Sequence, residues 1–200
     1  MTTIRIPHFG DNYYEIAAAF KAIQIVFDSL FANLDETFEK SLGVLTSKEM
    51  SEEEWQVNSQ IYYNYKKDVG PQYLTYALLL MITSTIEKNL KILKNDGFEV
   101  TNKRKIVSEG SSMGIVFLPA VSELDNDLDD LFELRNHIAH SFGIGQADPK
   151  NSKVKKILES NPSISENWEG KLIIEKTYLD RVVNRLADVF TLIAKKAYPV

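Results

Sequence analysis

A chain of 200 residues with a net charge of −5 is long enough for one domain with a substantial core. Hydrophobic residues at 44% and charged residues at 26% match an ordinary soluble globular protein. The lack of cysteine excludes disulfides, thiolate metal sites and a cysteine nucleophile, and the acidic balance argues against a surface that grips nucleic acid everywhere, so any RNA contact must be local.

Met1 to Gly10 holds no apolar run of signal-peptide length. The most apolar segment, Tyr73 to Ile82, is about ten residues, far short of a membrane span. The expectation is a cytoplasmic protein with no membrane segment, folded as a single helical domain over 1–200.

The first predicted helix begins around Tyr13, with Asp11 or Asn12 as cap. Ile16, Phe20, Ile23, Phe27, Leu30, Phe31, Leu34 and Phe38 keep a three-four rhythm to about Leu42, where Gly43 offers a left-handed stop. Such a helix would be roughly 42 Å long, either a long core helix or a projection that serves in dimer packing. Ser51-Glu52-Glu53-Glu54 is a capping box for a second helix running to about Lys67. Its Ile61, Tyr62, Tyr63 and Tyr65, beside Lys66 and Lys67, are either half-buried packing or a stacking surface for bases.

Gly70-Pro71 opens a third helix, apolar on more than one face from Leu74 to Leu93 and closed by Asn95-Asp96-Gly97. This is the expected centre of the core. Glu87 interrupts it. Its carboxylate suits a solvated pair with Lys91, four residues on, or a role beside Arg135 or a histidine. Residues 98–120 lose helical periodicity and read as an irregular insertion, with a flexible turn at Glu109-Gly110-Ser111-Ser112. Lys103-Arg104-Lys105 is the densest basic run, either surface cations of a solvated loop or the focused positive charge that an RNA would need.

Ser122 caps the next helix. Leu124, Leu128, Leu131, Ile138 and Phe142 form its apolar stripe. Asp125, Asp127, Asp129 and Asp130 load the first half with charge that the helix dipole favours. Asp125 and Asp129 share a face, as metal ligands do, but no zinc spacing is present and His137 and His140 lack a third ligand. Arg135 interrupts the stripe where a leucine belongs. An arginine there pairs with a carboxylate, lies at an interface or awaits an anion. Gly143 and Gly145 end the helix, Asp148-Pro149 opens a short one to about Glu159, and Glu169-Gly170 reads as a type I′ turn in a β-hairpin near 164–176. A last helix runs from about Thr177 to Ala197, with Leu179, Val182, Val183, Leu186, Val189, Phe190 and Ile193 inward. The fold class is therefore all-α with one small hairpin.

Arg135-Asn136-x-x-x-His140 resembles the motif of the HEPN superfamily, small all-helical domains marked by arginine, four to six residues, then histidine, often with a polar residue after the arginine. Asn136 fits that place, and the motif lies late in an amphipathic helix. The resemblance implies a HEPN-like bundle and metal-independent endoribonuclease activity in a composite cleft of a homodimer. It needs no cofactor and no metal, and Arg135, Asn136 and His140 are the catalytic set. His137 and Glu87 are possible accessories, His137 being expected on the exposed side. A toxin or phage-defence role follows, with an antitoxin or regulatory partner. In one branch of that family the motif continues to a tyrosine that is modified; here Phe142 stands in its place, which puts that control in doubt.

The residue types suit the chemistry independently. Histidine transfers protons near neutral pH, and arginine forks onto phosphate oxygens. One histidine cannot serve as base and acid in one step, whereas a two-fold pair supplies two. His140 leaves the helix roughly 140° from Arg135, a weakness if one chain must supply the whole site. The alternative is a non-catalytic HEPN-like module for dimerisation or partner binding. His8 carries no signal.

Overall fold

The computed structural model describes residues 9–46, 51–64, 69–140, 152–167 and 170–199. Among them are seven α-helices and one two-stranded antiparallel sheet, so the chain is all-α with a small hairpin. Helix α1 spans Phe9–Thr46, α2 Glu52–Asn64, α3 Gly70–Asn95, α4 Ile106–Ser112, α5 Leu124–His140, α6 Ser152–Ser160 and α7 Lys176–Ala197. Strands β1, Ile164–Glu166, and β2, Leu172–Ile174, lie between α6 and α7, and Ile164 is paired with Ile174.

The core lies where α1, α3, α5 and α7 meet. Each contributes a stripe at helical spacing. Ile16, Phe20, Ile23 and Phe27 come from α1; Leu79, Ile82, Ile86 and Leu93 from α3; Leu124, Leu128, Leu131 and Ile138 from α5. The seven inward positions expected of α7 are all buried. The Phe20 and Phe190 rings meet at 5.1 Å between centroids and tie α1 to α7. Burying each such side chain stabilises the fold by roughly 1.5–3 kcal/mol, which outweighs the modest helix propensity of the aromatic and β-branched residues. Three polar side chains on α3 are buried, Thr75, Thr83 and Asn89. Thr83 donates its hydroxyl to Leu79 O at 3.0 Å. Asn89 is buried, and neither its amide nitrogen nor its oxygen has a hydrogen-bond partner among the described residues.

Local signals were strongest at helix ends. Glu54 N donates to Ser51 Oγ at 3.2 Å and Ser51 N to Glu54 Oε2 at 3.0 Å, so the capping box forms. Pro71 occupies the first turn of α3. At its far end Phe98 N reaches Leu93 O at 2.9 Å and Gly97 N reaches Lys94 O at 3.1 Å, closing the helix on a Gly97 with φ of 83°.

Several expectations are corrected. Helix α1 starts before Tyr13 and continues through Gly43 to Thr46; Asn12 donates its amide to Asp96 Oδ2 at 3.0 Å instead of capping. A mid-helix glycine costs about 1 kcal/mol, too little alone to stop a long helix. Leu30, expected inward, is exposed. The stretch 98–120 is not irregular throughout, since it holds α4 and a 3-10 turn at Pro119–Val121. The supposed flexible turn at Glu109–Ser112 is the second half of α4, with Gly110 packed so close to Phe117 that a Cβ would lie 2.7 Å from the ring. The hairpin connection runs over residues 167–171 and is not a two-residue turn; Gly170 supplies its positive φ of 73°. His8, Tyr65, Lys66, Lys67, Phe142, Gly143, Gly145, Asp148, Pro149 and Glu169 lie outside the described residues.

Candidate functional site

Helix α5 positions everything that follows. Its upstream half is a carboxylate ladder, and two cations of the 103–105 segment, Arg104 and Lys105, close onto its carboxylates. Arg104 Nη1 donates to Glu133 Oε1 at 2.7 Å and lies 3.5 Å from Asp129 Oδ1. Lys105 Nζ approaches Asp129 Oδ2 at 3.3 Å. Lys103 donates to Glu87 on α3 and sits over the Phe132 ring, 4.5 Å from its centroid. From α6, Lys153 Nζ reaches Glu133 Oε1 at 3.0 Å. Burial alone pushes the Glu133 carboxyl up, but the hydrogen bonds from Lys153 and Arg104 outweigh it and hold the group below its usual 4.5. Arg104, Asp129, Glu133 and Lys153, with Asp130, Lys156 and Ile157, border an open groove of about 330 Å³.

Asp125 has a different task. Its Oδ1 accepts from Val107 N at 2.9 Å, and its Oδ2 accepts from Ser108 N at 3.0 Å and from the Ser108 hydroxyl at 2.5 Å. A side chain on α5 therefore caps the N-terminus of α4. Asp125 and Asp129 thus serve different partners. No group of three or more His, Asp or Glu side chains is placed to hold a metal among the described residues.

The downstream half is arranged differently. At 100° per residue, Asn136 leaves the helix between Arg135 and His140, about 100° from the first and 40° from the second. Arg135 Nη1 donates to Asn136 Oδ1 at 3.1 Å. This bond draws the guanidinium round the helix toward the side that carries His140. Arg135 and Asn136 are half-buried, and His140 is exposed on the last residue of α5. Three arginines among the described residues are half-buried. Arg104 has Glu133 and Asp129, and Arg185 has Asp127 at 2.6 Å and Glu123 at 3.7 Å. Arg135 has no carboxylate partner among the described residues.

Two accessory expectations are corrected. His137 is buried, not exposed, and its Nε2 has no hydrogen-bond partner among the described residues. The reason is packing: one turn before the helix ends, its face is still covered. Glu87 pairs with Lys103, not with Lys91 or Arg135, because the 103–105 segment folds back between α3 and α5. The basic run itself is engaged in ion pairs, so Lys103, Arg104 and Lys105 do not present three free cations.

Sequence reasoning missed Glu133 as the hub of the ion-pair network, Lys153 as its second cation, and Asp125 as a helix cap. None of these had a local signal, since each partner is remote in sequence. No known protein family matches the chain, and neither a curated protein nor a solved structure matches it. Among the described residues no helix is long and apolar enough to cross a membrane.

Proposed function

We propose that the protein is a metal-independent endoribonuclease of HEPN type that acts as a homodimer, with Arg135, Asn136 and His140 as its working residues. One observation carries the reading. Arg135 is the half-buried arginine left without a carboxylate among the described residues, and Asn136 turns it toward exposed His140. A cation in that condition suits a phosphate, onto which its planar fork can place two donors. In the reaction the RNA 2′-hydroxyl attacks the adjacent phosphorus, and the bond to the 5′-oxygen breaks to leave a 2′,3′-cyclic phosphate. The His140 imidazole of one protomer accepts the hydroxyl proton, and the partner protomer's copy protonates the departing oxygen. The two Arg135 guanidinium groups hold the charge that builds on the phosphoryl oxygens. Asn136 is a positioning residue. Such an enzyme fits a cytoplasmic toxin or defence effector restrained by an antitoxin or other regulatory partner.

A second reading is a non-catalytic module of the same type that binds a protein partner. The engagement of Lys103, Arg104 and Lys105 by carboxylates favours it, since these were the expected RNA contacts. Incubation of purified protein with labelled tRNA and single-stranded RNA in EDTA separates the two. Cleavage to cyclic phosphate ends, lost in folded Arg135→Ala and His140→Ala, supports the nuclease. A folded dimer that cuts no RNA in a broad set supports the binding module.

A further inference from the structure

Two open grooves on this surface differ in charge. The one between α5 and α6 sets Arg104, Lys153 and Lys156 against Asp129, Asp130 and Glu133, and the signs balance. The other, of about 250 Å³, is bordered by Glu87, Leu90, Lys91, Lys94, Thr101 and Lys103, three lysines against one carboxylate. Lys103 takes that carboxylate. Lys91 and Lys94 are exposed and have no carboxylate partner among the described residues. The dipole of α3 favours a cation in its last turn, which accounts for Lys94. It does not account for Lys91, which lies before that turn, or for Lys103, which comes from outside the helix. The far wall of the groove is held in place, because Glu109 of α4 accepts from Thr101 N at 2.7 Å and from Asn102 N at 2.9 Å.

Lys103 joins this groove to α5. It donates to Glu87 on α3 and stands over the Phe132 ring. At 100° per residue Phe132 leaves α5 between Arg135 and Asn136, one turn before them. Lys103 therefore stands on the side of α5 that carries those two residues. Arg135 and Lys91 are each one helical turn, about 5 Å along the axis, from the residues that Lys103 connects, and Lys94 is one turn further. A few nucleotides of extended strand cover such a span.

We propose that the groove is the distal subsite for a single-stranded RNA, in which Lys91 and Lys94 hold backbone phosphates of a strand whose scissile phosphate lies at Arg135. The inference rests on the ribonuclease reading of Arg135 and His140, and adds to it the form of the substrate. The groove is too small for a duplex. Lysine meets phosphate as a point charge and reads no base, so binding here is independent of sequence. An acidic chain thereby meets a polyanion through a local excess of charge.

The test uses the full chain carrying His140→Ala, so that RNA is held and not cut. Fluorescence anisotropy of a labelled single-stranded RNA in EDTA reads the affinity. Lys91→Gln with Lys94→Gln should weaken binding about tenfold and flatten the slope of log affinity against log salt by about 1.4, the share of two phosphate contacts on a single strand. Lys21→Gln with Lys155→Gln removes the same charge from α1 and α6 and should leave affinity and slope nearly unchanged. With His140 restored, the Lys91 and Lys94 changes should raise KM for a single strand and retain kcat. Equal weakening by the two pairs of changes, or none by either, overturns the subsite and leaves the ribonuclease reading standing. RNA held through Lys91 and Lys94 but never cut by the unmodified chain supports the groove and sinks the ribonuclease reading. No RNA bound at all overturns both.

Discussion

Arg104 and Arg135 are both half-buried against α5, and they lead different lives. Arg104 is clamped by Glu133 and Asp129, in a network that also holds Lys105 and Lys153. Arg135 touches an amide, whose oxygen carries no net charge. Clamping fixes a cation in place and satisfies it, whereas an amide orients a cation and leaves its charge available. The difference separates a part of the helix that holds the fold from a part that can hold a ligand.

The largest effect should come from exchanging the two arginines' fates. Arg135→Ala is expected to lower RNA cleavage on the order of 10² to 10³-fold while moving the unfolding midpoint little, since no ion pair among the described residues is lost. Arg104→Ala should do the reverse, costing about 2 kcal/mol in urea denaturation with cleavage retained, because Glu133 keeps only Lys153. Equal losses of activity in both would erase the distinction.

Asp125→Ala should cost about 2–3 kcal/mol, as it removes the cap of α4 and strands two backbone N–H groups and a hydroxyl. Hydrogen exchange should show α4 opening first. Asn136→Ala is a finer probe. It should lower cleavage by about tenfold through loss of arginine orientation, and Asn136→Asp should lower it further by giving Arg135 a carboxylate of the kind Arg104 has.

The smallest effect concerns pH. The folded Glu133 carboxyl lies below its unfolded value of 4.5, so its stabilisation is fully present above that pH and is lost as pH falls through the folded value. Asp127 and Asp130, raised chiefly by burial, act with the opposite sign and favour the folded state in acid. Glu133→Gln should therefore lower stability by about 1 kcal/mol at neutral pH and by less toward pH 3, read as the difference between two pH–stability curves.

The fold was legible where periodicity and local caps speak for themselves. The inward stripe of α7 and the Ser51–Glu54 box needed no partner to be recognised. Helix α4 escaped notice because its N-terminal cap, Asp125, comes from another helix, and because Gly110 reads as a turn although it lies where Phe117 comes close. Glu87 was assigned the nearer lysine, Lys91, since sequence offers only neighbours on the same helix; Lys103 reaches it through the tertiary fold. In the candidate site, Arg135, Asn136 and His140 stood out by residue type and spacing. That Arg135 has no carboxylate partner among the described residues while Arg104 has two depends on which chain segments meet, and no spacing rule contains that information.

Asn89 brings a separate consequence for the limits of this core. Thr83, six residues earlier on α3, donates its hydroxyl to its own backbone, whereas the Asn89 amide gives up water and receives no hydrogen bond among the described residues. An unsatisfied buried amide costs about 1–3 kcal/mol. The protein accordingly sits below the stability that its own architecture permits. Replacing Asn89 by leucine, of similar breadth and with no polar atoms, should raise the melting temperature by several degrees, about 2–4 °C per kcal/mol in a chain of this size. A neutral side chain in the later half of α3, beside the paired Lys88 and Glu87 in sequence, thereby limits the stability of the core from within.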